Sequence, residues 1–184
     1  EINKRIKFYT FKLNKTEMQI FSQWYKKKEN NFLITITGDG LYDLNKTMEH
    51  ISLTRNLQCG MLIGSRNQNR SQHLDNIKKI YGKNIILYFF SKLSEFFFII
   101  IYFLKLKFFL TDPNSGYRIY FKKNLKVKKI KFNHFYQSSL LKELVNNKVE
   151  VLEVPIKYNV KRNLSEKINR ILNALKNIKG LYFD

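Results

Sequence analysis

Asp39 and Asp43 follow directly on an apolar run, Phe32-Leu-Ile-Thr-Ile36, and their position suggests chemistry. The run reads as a strand buried on both faces. It stops at Gly38-Asp39-Gly40, where the glycines let the backbone turn sharply and let a ligand approach closely. The carboxyl edge of a strand in an open α/β sheet is where ligands bind. A carboxylate there suits Mg²⁺ or Mn²⁺, ions held by one or two carboxylates plus substrate phosphates. A plain polar turn with Asp39 as its turn residue explains the same spacing, and spacing alone leaves both readings open. Arg66 is the second such group. It ends the stretch Cys59-Gly-Met-Leu-Ile-Gly-Ser-Arg66, so it would share a rim with Asp39, and a planar guanidinium there is suited to a diphosphate. A solvated loop arginine is the simpler alternative.

The elements that must position these groups are legible from periodicity. Lys7–Leu13 alternates as a strand, and Lys15–Asn30 reads as a helix whose Met18, Phe21, Trp24 and Tyr25 recur as a core-facing stripe. After the strand to Thr37, Leu44–Leu57 is expected to be helical, with Leu44, Met48, Ile51 and Leu53 inward. Cys59–Ile63 is a further buried strand, and Asn67–Gln72 a polar loop. Strand and helix alternating at this spacing predict an α/β fold with a mainly parallel sheet flanked by helices. Beyond an apolar stretch come the turn Asp112–Gly116, rich in turn formers, and a short strand. A basic connection follows over Lys122–Lys131, then a helix over Phe132–Asn147. Val149–Tyr158 reads as a strand whose Pro155 places its end near a sheet edge. The basic loop Lys161–Lys167 and an amphipathic helix over Ile168–Ile178 complete the chain. No repeat or Gly/Ser linker divides residues 1–184, so one domain is expected.

Leu74–Leu110 is strongly apolar and aromatic. Asn84–Ser91 and Phe96–Leu104 carry no charge, while Lys92, Glu95, Lys105 and Lys107 interrupt the rest. A spanning helix needs about 20 mostly apolar residues, so residues 84–110 fit better as helices on a membrane surface with lysines reaching headgroups. A buried core helix pair explains the pattern equally well. The chain has 34 Lys and Arg against 14 Asp and Glu, a formal net charge of +20, which suits phosphate-bearing partners. The lysines are spread rather than clustered with aromatics on one face, so nothing points to a specific nucleic-acid partner. A single cysteine, Cys59, gives no disulfide framework and no cysteine-based zinc site. His50, His73 and His134 are too scattered to suggest a histidine cluster. The charged, polar first residues lack a signal-peptide pattern, and a cytoplasmic setting is expected.

Four stretches together resemble the inverting family-2 glycosyltransferases of the GT-A fold, nearest the branch of polyprenyl-phosphate (dolichyl-phosphate mannose type) sugar transferases. They are Ile34-Thr-Ile-Thr-Gly-Asp-Gly-Leu-Tyr-Asp43, Ile63-Gly-Ser-Arg66, Thr111-Asp-Pro-Asn-Ser-Gly-Tyr-Arg118, and Glu153-Val-Pro-Ile-Lys-Tyr158 with the basic loop after it. They stand in the family's order over residues 32 to 167. The resemblance implies a nucleotide-diphosphate sugar as donor, a polyprenyl phosphate or a glycan as acceptor, and Mg²⁺ or Mn²⁺ at an Asp-x-Asp motif. Asp39 matches the second aspartate of that motif, with Thr37 in place of the first. Leu41 stands where a glutamine is often found. Arg66 matches the arginine that meets the donor diphosphate, and Asp112 the acidic catalytic position near the acceptor. Arg162 and Lys167 resemble the basic residues that bind phosphate, the first grouped with Asp112 in catalysis and the second with Arg66 on the diphosphate. Glu166 splits the usual Ser-Lys pair. With a phosphate as acceptor no strong general base is required, and catalysis would be in-line positioning with neutralisation of the leaving diphosphate. The protein would work on the cytoplasmic side, at the inner face of a membrane, with residues 84–110 at the lipid surface.

The family opens with a strand, helix and strand that hold the nucleotide base, whereas Glu1–Leu13 matches a point well inside that fold. The expectation is a GT-A domain incomplete at its N-terminus, as a fragment or a truncated gene, and poor at turnover alone. Thr37 and Leu41 support an alternative function, a catalytically degenerate remnant that keeps the fold for binding or structure.

Overall fold

The computed structural model describes residues 17–26, 31–36, 42–81, 84–125, 136–159 and 175–182. The expected strand Lys7–Leu13, together with Thr37, Asp39, Leu41, Arg162 and Lys167, lies outside them. In chain order the elements are α1 (Glu17–Lys26), β1 (Phe32–Thr35), α2 (Thr47–Asn56), β2 (Met61–Ser65), α3 (Arg70–Tyr81), α4 (Ile85–Leu106), β3 (Arg118–Phe121), a 3₁₀ turn (Lys122–Asn124), α5 (Tyr136–Asn146) and β4 (Val151–Pro155). A helix over 175–182, α6, follows.

The strands form one sheet in the order β1-β3-β2-β4. Side chains alternate across it with the strand period of two, and each face builds its own core. Leu33, Met61, Ile63, Tyr120 and Val151 point to one side, where Phe21 and Trp24 of α1, Tyr102 and Leu106 of α4, Leu140, Leu141 and Leu144 of α5, and Leu181 of α6 cover them. Leu62, Ile119 and Val154 point to the other, with Tyr42, Tyr117, Ile156 and Tyr158, against Ile51 and Leu53 of α2. Helices on both faces of a sheet make this a mixed α/β layer structure.

The sheet is mixed rather than mainly parallel. β3 runs antiparallel to both β1 and β2, and only β2 and β4 pair in parallel. A single crossover helix carries a chain to the opposite end of a sheet and yields a parallel neighbour. Here α3 and α4 form a pair of helices between β2 and β3, so the chain returns to the rim it left. β3 therefore starts beside the end of β2, with Arg118 opposite Ile63. β1, expected to be buried on both faces, is half-buried along its length, because among the described residues only β3 pairs with it. The boundaries also shift: β2 ends at Ser65 rather than Ile63, α3 begins at Arg70 inside the expected polar loop, and β4 stops at Pro155.

α2 corrects a second expectation. Ile51 and Leu53 pack inward as expected, but Leu44 and Met48 are exposed, and the inward face also carries His50 and Thr54. The reason is Tyr117. Its buried hydroxyl donates to Thr47 Oγ1 at 3.2 Å and meets His50 Nδ1 at 3.1 Å, while Thr54 Oγ1 donates to the His50 carbonyl at 2.7 Å. A buried phenol needs a polar partner, so it draws the polar side of α2 inward. Burial lowers the His50 pKa, Glu49 opposes the shift and Lys46 adds to it. Burial likewise raises the Tyr117 hydroxyl.

Two consequences are measurable. Unfolded His50 takes up a proton near pH 6.5, whereas the folded ring does so only at lower pH. Its contribution to stability is thus complete above 6.5 and declines on acidification, by at most about 1.4 kcal/mol per pH unit. Urea midpoints at descending pH should show that slope in the parent and a flatter one in His50→Gln. Separately, a Cβ on Gly64 would sit 2.6 Å from Tyr117 Cδ1 and 3.1 Å from Ile156 Cγ2. Gly64→Ala is expected to lose about 1–3 kcal/mol by overpacking, read as a lower urea midpoint at an unchanged denaturant slope.

Candidate functional site

β2 and β4 end at the rim of the sheet where β3 begins, and the groups with chemistry gather there. Ser65 and Arg66 leave β2, Thr111 to Gly116 form the turn that enters β3, and Glu153 lies near the end of β4. Arg66 and Asp112 are clamped side by side. Nε donates to Asp112 Oδ2 at 2.6 Å, Nη2 to Oδ1 at 2.6 Å, and the Arg66 backbone N–H to Oδ2 at 3.0 Å. This is the bidentate fork geometry that makes guanidinium–carboxylate pairs strong. The Asp112 side chain is 4% exposed and that of Arg66 25%, so the carboxylate is enclosed while the Arg66 side chain keeps partial exposure. Burial works against the Arg66 charge, but the Asp112 carboxylate and its hydrogen bonds outweigh it and raise the pKa, keeping Arg66 cationic. Its guanidinium also stacks over Tyr158, 5.4 Å from the ring centroid.

The turn that carries Asp112 is held by a second carboxylate. Glu153 Oε2 accepts from the Thr111 N–H and hydroxyl, both at 2.8 Å, and Oε1 accepts from the Asp112 N–H at 2.7 Å. Thr111 Oγ1 meets Ser65 Oγ at 2.7 Å, and Asn67 Nδ2 donates to the Thr111 carbonyl at 2.7 Å. Further along, Ser115 Oγ donates to the Gly64 carbonyl at 2.5 Å, and the Gly116 N–H donates to Tyr42 Oη at 2.9 Å. Arg118, only 1% exposed, donates to the carbonyls of Pro113, Ser115 and Gln137 at 2.7, 3.1 and 3.1 Å. Tyr102 of α4 and Asn177 of α6 both donate to Asn114 Oδ1, at 3.1 and 3.0 Å. A turn buried without regular pairing needs each polar group answered individually, and these side chains supply the answers.

Of the sequence-predicted site residues, Arg66 and Asp112 are brought into direct contact from distant parts of the chain. Asp39, Arg162 and Lys167 lie outside the described residues. Asp43 is at the same rim: its N–H donates to the Lys157 carbonyl at 3.0 Å, and its carboxylate accepts the Asn45 N–H at 3.0 Å. Tyr42 bridges to Tyr158 beside it. All four stretches of the resemblance therefore meet at this rim through described residues. Compared with family models and with curated proteins, the chain matches none.

Asp112 and Glu153 do not offer a metal site of their own. Asp112 has both oxygens on Arg66 and Glu153 has both on the turn, and among the described residues no group of three or more His, Cys, Asp or Glu is placed to hold an ion. Asp39, the expected metal ligand, lies outside the described residues.

Glu153 is the residue to which sequence reasoning gave no role. Its signal was present: an acid inside Val151-Leu-Glu-Val154, on the same strand face as buried Val151, needs a built partner. Glu153→Ala is expected to lower stability by about 2 kcal/mol by leaving N–H donors unanswered. Glu153→Gln, which restores one acceptor, should lose less. Amide exchange should locate the effect at Thr111 and Asp112, and unchanged protection there would contradict the assignment.

Proposed function

We propose that this chain is part of a GT-A glycosyltransferase that moves a sugar from a nucleotide-diphosphate donor to a lipid-phosphate or glycan acceptor. We place the reaction on the cytoplasmic side, at the inner face of a membrane. The observation that carries this reading is the meeting at one sheet rim of Arg66 and Asp112, residues picked from separate stretches for complementary roles. In this reading Arg66, fixed by Asp112 through Nε and Nη2, gives Nη1 to an oxygen of the donor diphosphate. The acceptor oxygen attacks the anomeric carbon in line as the bond from that carbon to the diphosphate breaks. Arg66 offsets the charge that builds on the leaving group. Asp112, enclosed and with both oxygens on N–H donors, is poorly placed to take a proton. It acts by holding Arg66, which suits an acceptor that is already an anion. Arg162 and Lys167 are assigned to phosphate, and Asp39 to Mg²⁺ or Mn²⁺ that would add positive charge at the diphosphate.

Titration calorimetry with UDP and GDP, with and without Mn²⁺, tests the proposal. Arg66→Ala should weaken diphosphate binding about tenfold or more. Asp39→Ala should remove the metal dependence and abolish transfer; unchanged transfer would sink the metal assignment. Asp112→Asn should slow transfer at least tenfold without weakening diphosphate binding, because it frees Arg66 and removes a competing anion. A folded sample that includes the base-holding strand, helix and strand and still binds neither nucleotide would instead favour the degenerate remnant that keeps only the fold.

A further inference from the structure

α4 has two unlike faces. Inward, Tyr102 and Leu106 join the core, and Glu95 Oε2 meets His73 Nε2 of α3 at 2.9 Å and Lys92 Nζ at 3.4 Å. Outward, Ile86, Phe89, Phe90, Leu93, Phe97 and Leu104 recur at helical spacing and are 51 to 69% exposed. Soluble monomers rarely leave an apolar stripe of this size in water. From Ile86 to Leu104 of α4 it runs roughly 27 Å. No helix among the described residues is long and apolar enough to cross a membrane, and the protein side of α4 is committed to the core.

We infer that the outer face of α4 docks the protein onto the surface of an anionic lipid bilayer, with the helix lying in the interface plane. Two observations select lipid over other occupants. Lys92, which also reaches Glu95, Lys105, whose Nζ lies over the Tyr182 ring of α6, and Lys107 flank the stripe, whereas Glu95, the single acid of residues 84–109, is turned to His73. Within α4 itself no carboxylate thus opposes an anionic headgroup layer, and lysines beside aromatics on one helix are the composition of interfacial helices. The chain's formal net charge of +20 draws it to such a layer but makes one copy repel another, which disfavours self-association through the same face. The docking surface gives the membrane placement of the sugar-transfer reading a physical basis. It stands on α4 alone, and its test contains no sugar donor, so its failure would leave the reaction chemistry untouched.

Co-sedimentation of the chain with vesicles decides it. Binding is expected to vesicles with about 30% phosphatidylglycerol in phosphatidylcholine, and much less to phosphatidylcholine alone. Phe89→Ser and Phe97→Ser should each lower the partition coefficient about tenfold. Replacing Lys92, Lys105 and Lys107 by Gln should remove much of the salt-sensitive part. Leu57→Ser, at an exposed apolar residue beyond α2, should change nothing, and circular dichroism should show all variants folded. Absence of binding to anionic vesicles would overturn the inference. So would binding that the phenylalanine variants leave intact, or a vesicle-free oligomer that those variants convert to monomer.

Discussion

The rim of the sheet depends on one carboxylate holding another in place. Glu153 fixes the backbone of Thr111 and Asp112, and Asp112 in turn fixes Arg66. Each link is charge-assisted, and each removes polar groups from water only where a partner of matching geometry waits. Loss of Glu153 would leave amide donors unanswered beneath the turn, and Asp112 would no longer be held at the reach of Arg66. A loop that enters a sheet without forming regular structure is stable only through such individual answers.

The helix pair between β2 and β3 explains why the network exists at all. By returning the chain to its starting rim, α3 and α4 bring the turn at Asp112 beside the end of β2, and the β2–β4 pairing brings Glu153 to the same place. Stretches far apart in the chain thus share one edge, the edge where α/β sheets present ligand-binding loops. The chemistry proposed there follows from the asymmetry of the Arg66–Asp112 pair. The carboxylate is enclosed with both oxygens engaged, whereas the Arg66 side chain is partly exposed and gives only Nε and Nη2 to it. Such a site can offer positive charge more readily than it can take a proton.

The same helix pair links the rim to the outer surface. Tyr102 on the inner side of α4 holds Asn114 of the turn, and the phenylalanines on its outer side face away from the core. One helix thereby supports the site with one face and leaves an aromatic stripe on the other. That arrangement would keep a site at a fixed height above any surface the stripe occupies.

The sequence by itself determined what depends on neighbours along the chain. The α1 stripe of Phe21 and Trp24 is buried as its period requires, the described strands fall within a few residues of their apolar runs, and Arg66 and Asp112 stand just past and just before strands as read. Only the tertiary structure decided what depends on partners from afar. The direction of β3 followed from how two helices pack together. The inward face of α2 followed from one buried tyrosine hydroxyl that outweighed Leu44 and Met48. The mating of Arg66 with Asp112, and Glu153 beneath them, required three strand ends to meet. The outer stripe of α4 read equally well as core, because periodicity records that a face is apolar and not what covers it. Local patterns carry the elements. Which polar group answers which is settled only when distant segments compete for the same buried space.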